Sequence, residues 1–244
     1  GFLLFKELSR QLKLAKRPEL SRLFNLMARD EARHAGFLNR ALVAEGIVID
    51  LPALSGKRPV TWFPLNWVLY SVYLSEKIGY WRYILIDRHL KANPENAFAP
   101  LFDFFEPWCQ DENRHGDIFN MLIRCWPGLN SGLRGHLLSR FFLWSVFLTH
   151  SLTVCERGNF YRLLGMDPDR FDAEVMRQTN RTARRAFPVV FQLTPTYFEL
   201  RDQLVDTFRR IKASQGQPVH QLGLKLHFAS LLLRQFLQPM EVAA

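Results

Sequence analysis

Apolar residues recur at three- and four-residue steps along most of the chain, and the alternating runs typical of strands are almost absent. This pattern predicts helices at about residues 1–15, 18–44, 64–91, 97–125, 131–163, 168–186, 196–214 and 218–238. The breakers between them include "KRPE", "LPALSGKRP" (51–59), "ANPEN", "WPGLNSG" and "GMDPD". Helices joined by short turns pack antiparallel. We therefore predict an all-α fold of one domain, with a four-helix bundle over residues 1–125 and a helical C-terminal extension over residues 126–244 packed on it.

A charged motif occurs twice in this apolar pattern. "ARDEARHAGFLN" (28–39) is nearly repeated by "CQDENRHGDIFN" (109–120), with an offset of 81 residues. Each copy contains Glu-x-x-His, whose two side chains lie on one helix face about one turn apart. A carboxylate oxygen and an imidazole nitrogen at that spacing can converge on one metal ion. Two copies on separate helices predict a metal site with ligands Glu31, His34, Glu112 and His115.

The flanks of both copies are apolar, which predicts that the motifs are buried. A buried Glu without a partner is costly, and two iron ions would supply the partner. The alternative is a metal-free buried network of salt bridges. Asp30 and Asp111 are candidates to accept a hydrogen bond from the outer nitrogen of a facing His, and Arg33 and Arg114 to balance the carboxylates. An ordinary salt bridge is the alternative for these four residues.

Two further carboxylates are candidate ligands from the other helices. Glu76 lies in the most apolar part of its helix, and Glu76 and Glu112 are equidistant from Pro94 in the "ANPEN" turn, so they lie level across a hairpin. Glu7 is the only carboxylate of the first helix. It lies about one turn from the position level with Glu31, so the ligand could instead lie just upstream of Gly1. "GFLLFKELSRQL" already has the character of a helix interior, which predicts a natural protein that extends further towards its N-terminus.

The formal net charge of +9 favours acidic partners such as an anionic membrane surface, an acidic protein or a carboxylated substrate, with a solvated basic surface as the alternative. No nucleic-acid module is recognisable, so we predict no nucleic-acid partner. The three cysteines form no C-x-x-C pair and indicate reduced cytosolic thiols. The longest apolar run, residues 141–154, is too short to span a bilayer and predicts a buried helix. No transmembrane helix is therefore expected.

Several stretches of the chain resemble a known family. They are "GFLLFKEL", "LFNLMARDEARHAGFLN", "YLSEKIGYWRYI", "WCQDENRHGD" and "FPVV". From residue 1 to about 195 the chain resembles the aerobic (oxidative) magnesium-protoporphyrin IX monomethyl ester cyclases. The resemblance implies a ferritin-like four-helix bundle with additional C-terminal helices. It also implies two iron ions, held by the five residues Glu31, His34, Glu76, Glu112 and His115, with Glu7 as the candidate from the first helix.

The same resemblance implies an activity and partners. The family closes the isocyclic fifth ring of the (bacterio)chlorophyll pigment, converting Mg-protoporphyrin IX 13-monomethyl ester with O₂ into a divinyl protochlorophyllide-type product. It implies external electrons from ferredoxin or NADPH and, in many lineages, a small auxiliary subunit. It further implies peripheral contact with the cytoplasmic side of a photosynthetic membrane.

Two other functions are compatible with the residues. A rubrerythrin-like peroxidase or ferroxidase would keep the metal site but act on small substrates. A non-enzymatic helical scaffold would dock on membranes or partners through its basic surface, and its function would survive replacement of Glu31 or His115.

Overall fold

Helices make up nearly all of the described chain, which comprises residues 1–50, 63–214 and 216–243 of a computed structural model. The first four helices are α1 (Phe2–Leu14), α2 (Pro18–Ala44), α3 (Leu65–Ala92) and α4 (Phe105–Arg124). The C-terminal helices are α5 (Gly132–Glu156), α6 (Gly158–Leu163), α7 (Pro168–Ala183), α8 (Pro195–Ala213) and α9 (Pro218–Phe236). Short 3-10 helices span Pro94–Asn96, Pro100–Phe104 and Pro127–Leu129. The predicted all-α fold is confirmed; the predicted breaker at 51–59 lies outside the described residues.

Prolines and polar caps define several helix starts. Helices α2, α7, α8 and α9 all begin with Pro, whose fixed φ suits a first turn and whose missing N–H would have no helical partner there. The side chain of Asp167 accepts a hydrogen bond from the Arg170 backbone N–H at 2.8 Å at the start of α7. Thr194 caps α8 in the same way. These local signals explain why the predicted boundaries of these helices hold.

Two predicted helices differ from the structure. The helix predicted over 97–125 begins only at Phe105, because Pro100–Phe104 forms a 3-10 helix first. The helix predicted over 131–163 is broken at Arg157 (φ −105°, ψ 20°), next to Gly158, a residue of low helix propensity. The structure also adds one short antiparallel pair of strands, β1 (Val189–Phe191) and β2 (Met240–Val242). Three residues per strand are too few to produce an alternating sequence pattern.

Two helical hairpins form the bundle around one core. Ser9 and Ser21 exchange hydrogen bonds between α1 and α2, and Lys77 donates to Asn113 between α3 and α4. Helix α3 also packs against α5 and α7. The main hydrophobic core runs from Phe5 in α1 to Tyr197 in α8 and includes both hairpins. The C-terminal helices therefore bury the side of α3 that the bundle leaves open.

Among the described residues one helix, α5, is long and apolar enough to cross a membrane by length and composition, with 39% of its most apolar window buried. Its buried residues include His150 and Ser151, which hydrogen-bond to the buried Asp172 of α7. Such polar contacts with a neighbouring helix are those of a core helix in a folded domain.

Candidate metal centre

Five of the predicted ligands converge in the middle of the bundle. Glu31 and His34 come from α2, Glu76 from α3, and Glu112 and His115 from α4. They form two groups whose ligand atoms lie within 4.8 Å of one another: Glu31, His34 and Glu112, and Glu31, Glu76 and His115. Glu31 belongs to both groups. A carboxylate shared by two ligand sets is the arrangement that can bridge two metal ions.

Both imidazoles direct Nδ1 at the carboxylates. His34 Nδ1 lies 3.4 Å from Glu112 Oε1 and 3.8 Å from Glu31 Oε1. His115 Nδ1 lies 3.3 Å from Glu76 Oε2 and 3.7 Å from Glu31 Oε1. Four of the five side chains are buried, and that of Glu31 is 18% exposed. The ligand atoms therefore face one another in an interior largely closed to water.

Aspartates hold the outer nitrogen of each imidazole from the facing helix. Asp111 Oδ2 of α4 lies 3.1 Å from His34 Nε2 of α2, and Asp30 Oδ2 of α2 lies 3.5 Å from His115 Nε2 of α4. When Nε2–H donates to the aspartate, the lone pair of Nδ1 is left pointing at the centre. This crossed arrangement follows from the repeated Asp-Glu dipeptide on two packed helices.

The arginines of the repeated motif pair with these aspartates. Arg33 contacts Asp111 and lies 3.2 Å from Asp30, whereas Arg114 lies 3.5 Å from Asp111. Neither arginine pairs with Glu31, Glu76 or Glu112 in the part of the chain that the structure describes. The charge of the three central carboxylates is thus not balanced by a guanidinium.

The protonation of the cluster tests whether a cation fits. Burial, and next the neighbouring carboxylates, raise the pKa of Glu76 to about 8, with His115 opposing the shift. Burial would also raise the pKa of Glu112, but the adjacent His34, Glu76 and Trp108 side chains outweigh it and hold that pKa below its usual range. Burial would lower the pKa of His115, but its contacts with Glu76, Glu31 and Glu112 raise it. At neutral pH the cluster therefore retains protons among its ligand atoms.

A second observation points the same way. His34 Nδ1 is buried and has no hydrogen-bond partner among the described residues, although it faces two carboxylates. Buried polar atoms are normally satisfied. A cation at the centre would take up this lone pair and replace the retained protons. Carboxylate oxygens and imidazole nitrogens are ligands that suit iron, so the residues present fit a pair of iron ions.

The structure places Glu7, the candidate of the first helix, outside this cluster. Its carboxylate accepts hydrogen bonds from Arg10 at 2.8 and 2.6 Å and from Gln11 at 3.0 Å, all on α1 itself. These hydrogen bonds, that of Arg10 first, lower the pKa of Glu7 to about 2. The residue of α1 beside the centre is Gly1, where a Cβ would lie 2.0 Å from Glu31 Oε2.

Two aromatic residues outside the predicted set of ligands contact the ligands directly. Trp108 Nε1 donates a hydrogen bond to Glu112 Oε1 at 2.7 Å, and the Trp108 ring stacks on His34 with centroids 4.8 Å apart. Phe5 meets His115 edge-on at 5.7 Å. The spacing of four residues from Trp108 to Glu112 was the available signal, because it places both on one helix face.

A glycine makes room for one ligand. A Cβ at Gly79 of α3 would lie 3.2 Å from Glu112 Oε2, which is tighter than ordinary contact. Glycine at this position lets α3 approach α4 closely enough for Glu76 and Glu112 to share the centre. A single glycine inside an apolar helix gives no such signal in the sequence.

Comparisons with known proteins agree with this centre. The rubrerythrin family model matches residues 1–123. The chain is 63% and 64% identical to the proteins named magnesium-protoporphyrin IX monomethyl ester [oxidative] cyclase of Prochlorococcus marinus strains MIT 9211 and MIT 9313, covering 99% of the chain and 69% of each relative. It is 53% identical to the cyclase 2 of Thermosynechococcus vestitus over 98% of the chain and 70% of that relative. No solved structure gives a significant match.

Proposed function

The chain belongs to the magnesium-protoporphyrin IX monomethyl ester oxidative cyclases, and we propose on that premise that it closes the isocyclic fifth ring of Mg-protoporphyrin IX 13-monomethyl ester, using O₂. The observation that carries the proposal is the pair of ligand groups joined by Glu31. Relatives that bear the cyclase name match this chain at more than 60% identity over almost its whole length. The product is of the divinyl protochlorophyllide type.

In this proposal Glu31, His34, Glu76, Glu112 and His115 hold two iron ions. When bound, the iron ions supply the redox chemistry by which O₂ oxidises the substrate. The protein's own part is to fix the ligands and keep the centre dry. Asp30 and Asp111 hold the imidazole rings from outside, and the packed rings of Phe5 and Trp108 exclude water around them.

The remaining parts of the proposal concern partners. An oxidative cycle consumes electrons, so a ferredoxin- or NADPH-linked donor must supply them, and the basic balance of the chain suits an acidic donor protein. The same charge suits peripheral contact with the anionic cytoplasmic face of a photosynthetic membrane, and a small auxiliary subunit completes the system. We assign the metal chemistry to residues 1–125. Residues 126–244 form the helical extension that covers α3.

The first test is the iron content of anaerobically purified protein after ferrous reconstitution. We expect about two irons per chain in the wild type, as in other di-iron bundles, and their loss in Glu112→Ala. Glu106→Ala is the matched control, because Glu106 is an exposed glutamate on the same helix that pairs with Lys91. Absence of iron from the folded wild type would replace the proposal with the metal-free salt-bridge network.

Turnover then separates the cyclase from its nearest alternative. The rubrerythrin match favours a peroxidase or ferroxidase as the second candidate. Iron-loaded protein supplied with O₂, a reductant and Mg-protoporphyrin IX 13-monomethyl ester should give a product with the absorption of a protochlorophyllide. Consumption of hydrogen peroxide without any conversion of the porphyrin would favour the peroxidase.

A further inference from the structure

Helix α9 is apolar on two opposite faces. One face packs into the fold, where Leu231 joins Leu200 and Leu204 of α8 in a small core with Phe228 and Leu232 at its edge. The opposite face leaves five large apolar side chains in solvent. They are Val219 (85% exposed), Leu222 (58%), Leu226 (65%), Leu233 (59%) and Leu237 (63%).

These five side chains, called here the α9 stripe, lie along one line. The steps from Leu222 to Leu226, Leu233 and Leu237 are four, eleven and fifteen residues, which return to the same side of an α-helix. At 1.5 Å per residue the stripe is about 27 Å long. Single exposed leucines are common on soluble proteins, whereas five exposed apolar side chains along one side of a helix, interrupted only by Ala229 and Ser230, mark a binding surface.

The ionisable side chains of α9 are all Lys, Arg or His. Residues 218–236 contain Lys225, Arg234, His220 and His227 and no Asp or Glu. Lys225 and Arg234 are exposed, and neither has an ion-pair partner within the described part of the chain. The hydrogen bond of Lys225 Nζ is to the neutral side chain of Gln221, at 3.0 Å. A surface that combines apolar side chains with unpaired cations suits an anionic partner.

A second exposed apolar patch lies on α5, the helix that contacts the C-terminal end of α9. Arg140 of α5 donates hydrogen bonds to the backbone oxygens of Phe236 at 2.6 Å and Gln238 at 3.0 Å, which ties α5 to that end. Near this junction α5 exposes Phe141, whose ring lies 5.7 Å from that of Trp67. Trp67 is itself 40% exposed. Half-exposed tryptophan is favoured at a membrane interface, where one edge of the ring is wet and the other is not.

We propose that the α9 stripe lies on the surface of an anionic lipid bilayer, with its leucines at the boundary of the acyl chains and Lys225 and Arg234 among the headgroups. A helix with an apolar face, basic flanks and no acidic residue is built for this position. A second copy of the chain that paired through α9 fits less well, because α9 has no acidic residue to pair with Lys225 and Arg234. The inference rests on the proposed peripheral attachment and is independent of the metal chemistry.

The test is flotation with vesicles of phosphatidylcholine alone or mixed in equal parts with phosphatidylglycerol. The stripe variant is Leu226→Glu with Leu233→Glu. The matched control is Leu14→Glu with Leu163→Glu, two leucines that are 70% and 69% exposed on other helices. A charge variant, Lys225→Gln with Arg234→Gln, is matched by Lys13→Gln with Arg124→Gln. Far-ultraviolet circular dichroism shows that each variant is folded, and light scattering gives its mass.

We expect the wild type to float with the anionic vesicles, and partition to fall about tenfold or more in the stripe variant, because two apolar contacts become charged. The control should float like the wild type, and the charge variant should lose its preference for anionic lipid. If the stripe variant floats like the wild type, the assignment to α9 is overturned while peripheral attachment stands. If the wild type floats with neither vesicle, attachment itself fails, and the iron content remains a separate test of the metal centre. If light scattering shows that the wild type is a dimer and the stripe variant a monomer, the surface would be assigned to a second copy of the chain.

Discussion

The charge of the metal-free centre can be tested at Glu76, the most buried of its carboxylates. Replacing Glu76 with Gln keeps the shape of the side chain and removes its ability to ionise. The amide also keeps a hydrogen-bond donor, as the protonated Glu76 carboxyl has. The substitution should therefore stabilise the metal-free protein at neutral pH while weakening its hold on metal.

The size of the effect follows from the raised pKa. Burial raises the pKa of Glu76 from 4.5 to about 8, so the folded state binds this proton more tightly than the unfolded state does. The stability that Glu76 contributes is therefore fully present below pH 4.5 and is lost as the pH rises towards 8. Between about pH 5 and pH 7.5 the loss amounts to about 3 kcal/mol, taking 1.36 kcal/mol per pKa unit. The raised pKa of His115 acts in the same direction over part of this range.

The assay is urea unfolding of chelator-treated protein at about pH 5 and about pH 7.5. It is done for the wild type, for Glu76→Gln and for the exposed control Glu106→Gln. We expect the wild type and the control to lose stability as the pH rises, and the Glu76→Gln protein to lose about 3 kcal/mol less. Ferrous iron added without O₂ should then stabilise the wild type strongly and Glu76→Gln weakly. A Glu76→Gln protein less stable than the wild type at pH 7.5 would show that Glu76 is ionised and paired, which is the metal-free salt-bridge network.

Three further predictions concern the groups around the centre and one buried pair outside it. Asp111→Asn should lower ferrous affinity about 10–100-fold in a chelator competition, and Asp30→Asn should lower it less. The reason is that Asp111 lies 3.1 Å from His34 Nε2, whereas Asp30 lies further, at 3.5 Å, from His115 Nε2. Equal effects of the two substitutions would contradict this reasoning. Trp108→Phe keeps an aromatic ring but loses the hydrogen bond to Glu112, and it should cost about 1.5–3 kcal/mol in urea unfolding of the metal-free protein. Asp172→Asn should cost about 3–5 kcal/mol and leave the iron content unchanged, because the buried Asp172 carboxylate pairs with Arg201 at 2.7 Å. Burial would raise the pKa of Asp172, but His150 and Arg201 outweigh it and lower that pKa. The stability that the Asp172 carboxylate contributes is therefore present at neutral pH and should be lost only as the pH falls below about 4.

Much of the centre could be predicted because helix geometry fixes it locally. Glu-x-x-His places two ligands on one face whatever the rest of the fold, and the repeated motif supplied four of the five residues. The neighbours of these ligands could not be predicted in the same way. The stacking of Trp108 on His34 joins α4 to α2, and the close approach at Gly79 joins α3 to α4. Such contacts depend on how helices are rotated about their axes, which one sequence does not fix.

The same limit applies to α9. Its helical period was clear in the sequence, but Leu224 is buried whereas Leu222 and Leu226 are exposed. Apolar residues occur on both sides of this helix, so periodicity alone could not say which side meets the core. Only the packing of α9 against α8 and α5 decides it, and that packing leaves the second apolar face in solvent.

The two hairpins show why Glu76 lies at the cluster and Glu7 does not. In the α3–α4 hairpin the contacts Lys77–Asn113 and Gly79–Glu112 centre the turn on residues 95–96, close to the assumed Pro94, so Glu76 still falls opposite the Glu112–His115 turn of α4. In the α1–α2 hairpin the contacts Lys6–Asn25 and Ser9–Ser21 centre the turn on residues 15–16, at the start of the "KRPE" breaker and not in its middle. The short link, in which Lys16 has a φ of 54°, closes the hairpin about one residue earlier than the breaker suggests. Moving the centre of the turn by one residue moves the position level with Glu31 by two. Gly1 therefore lies beside Glu31, and Glu7 lies nearly two turns away.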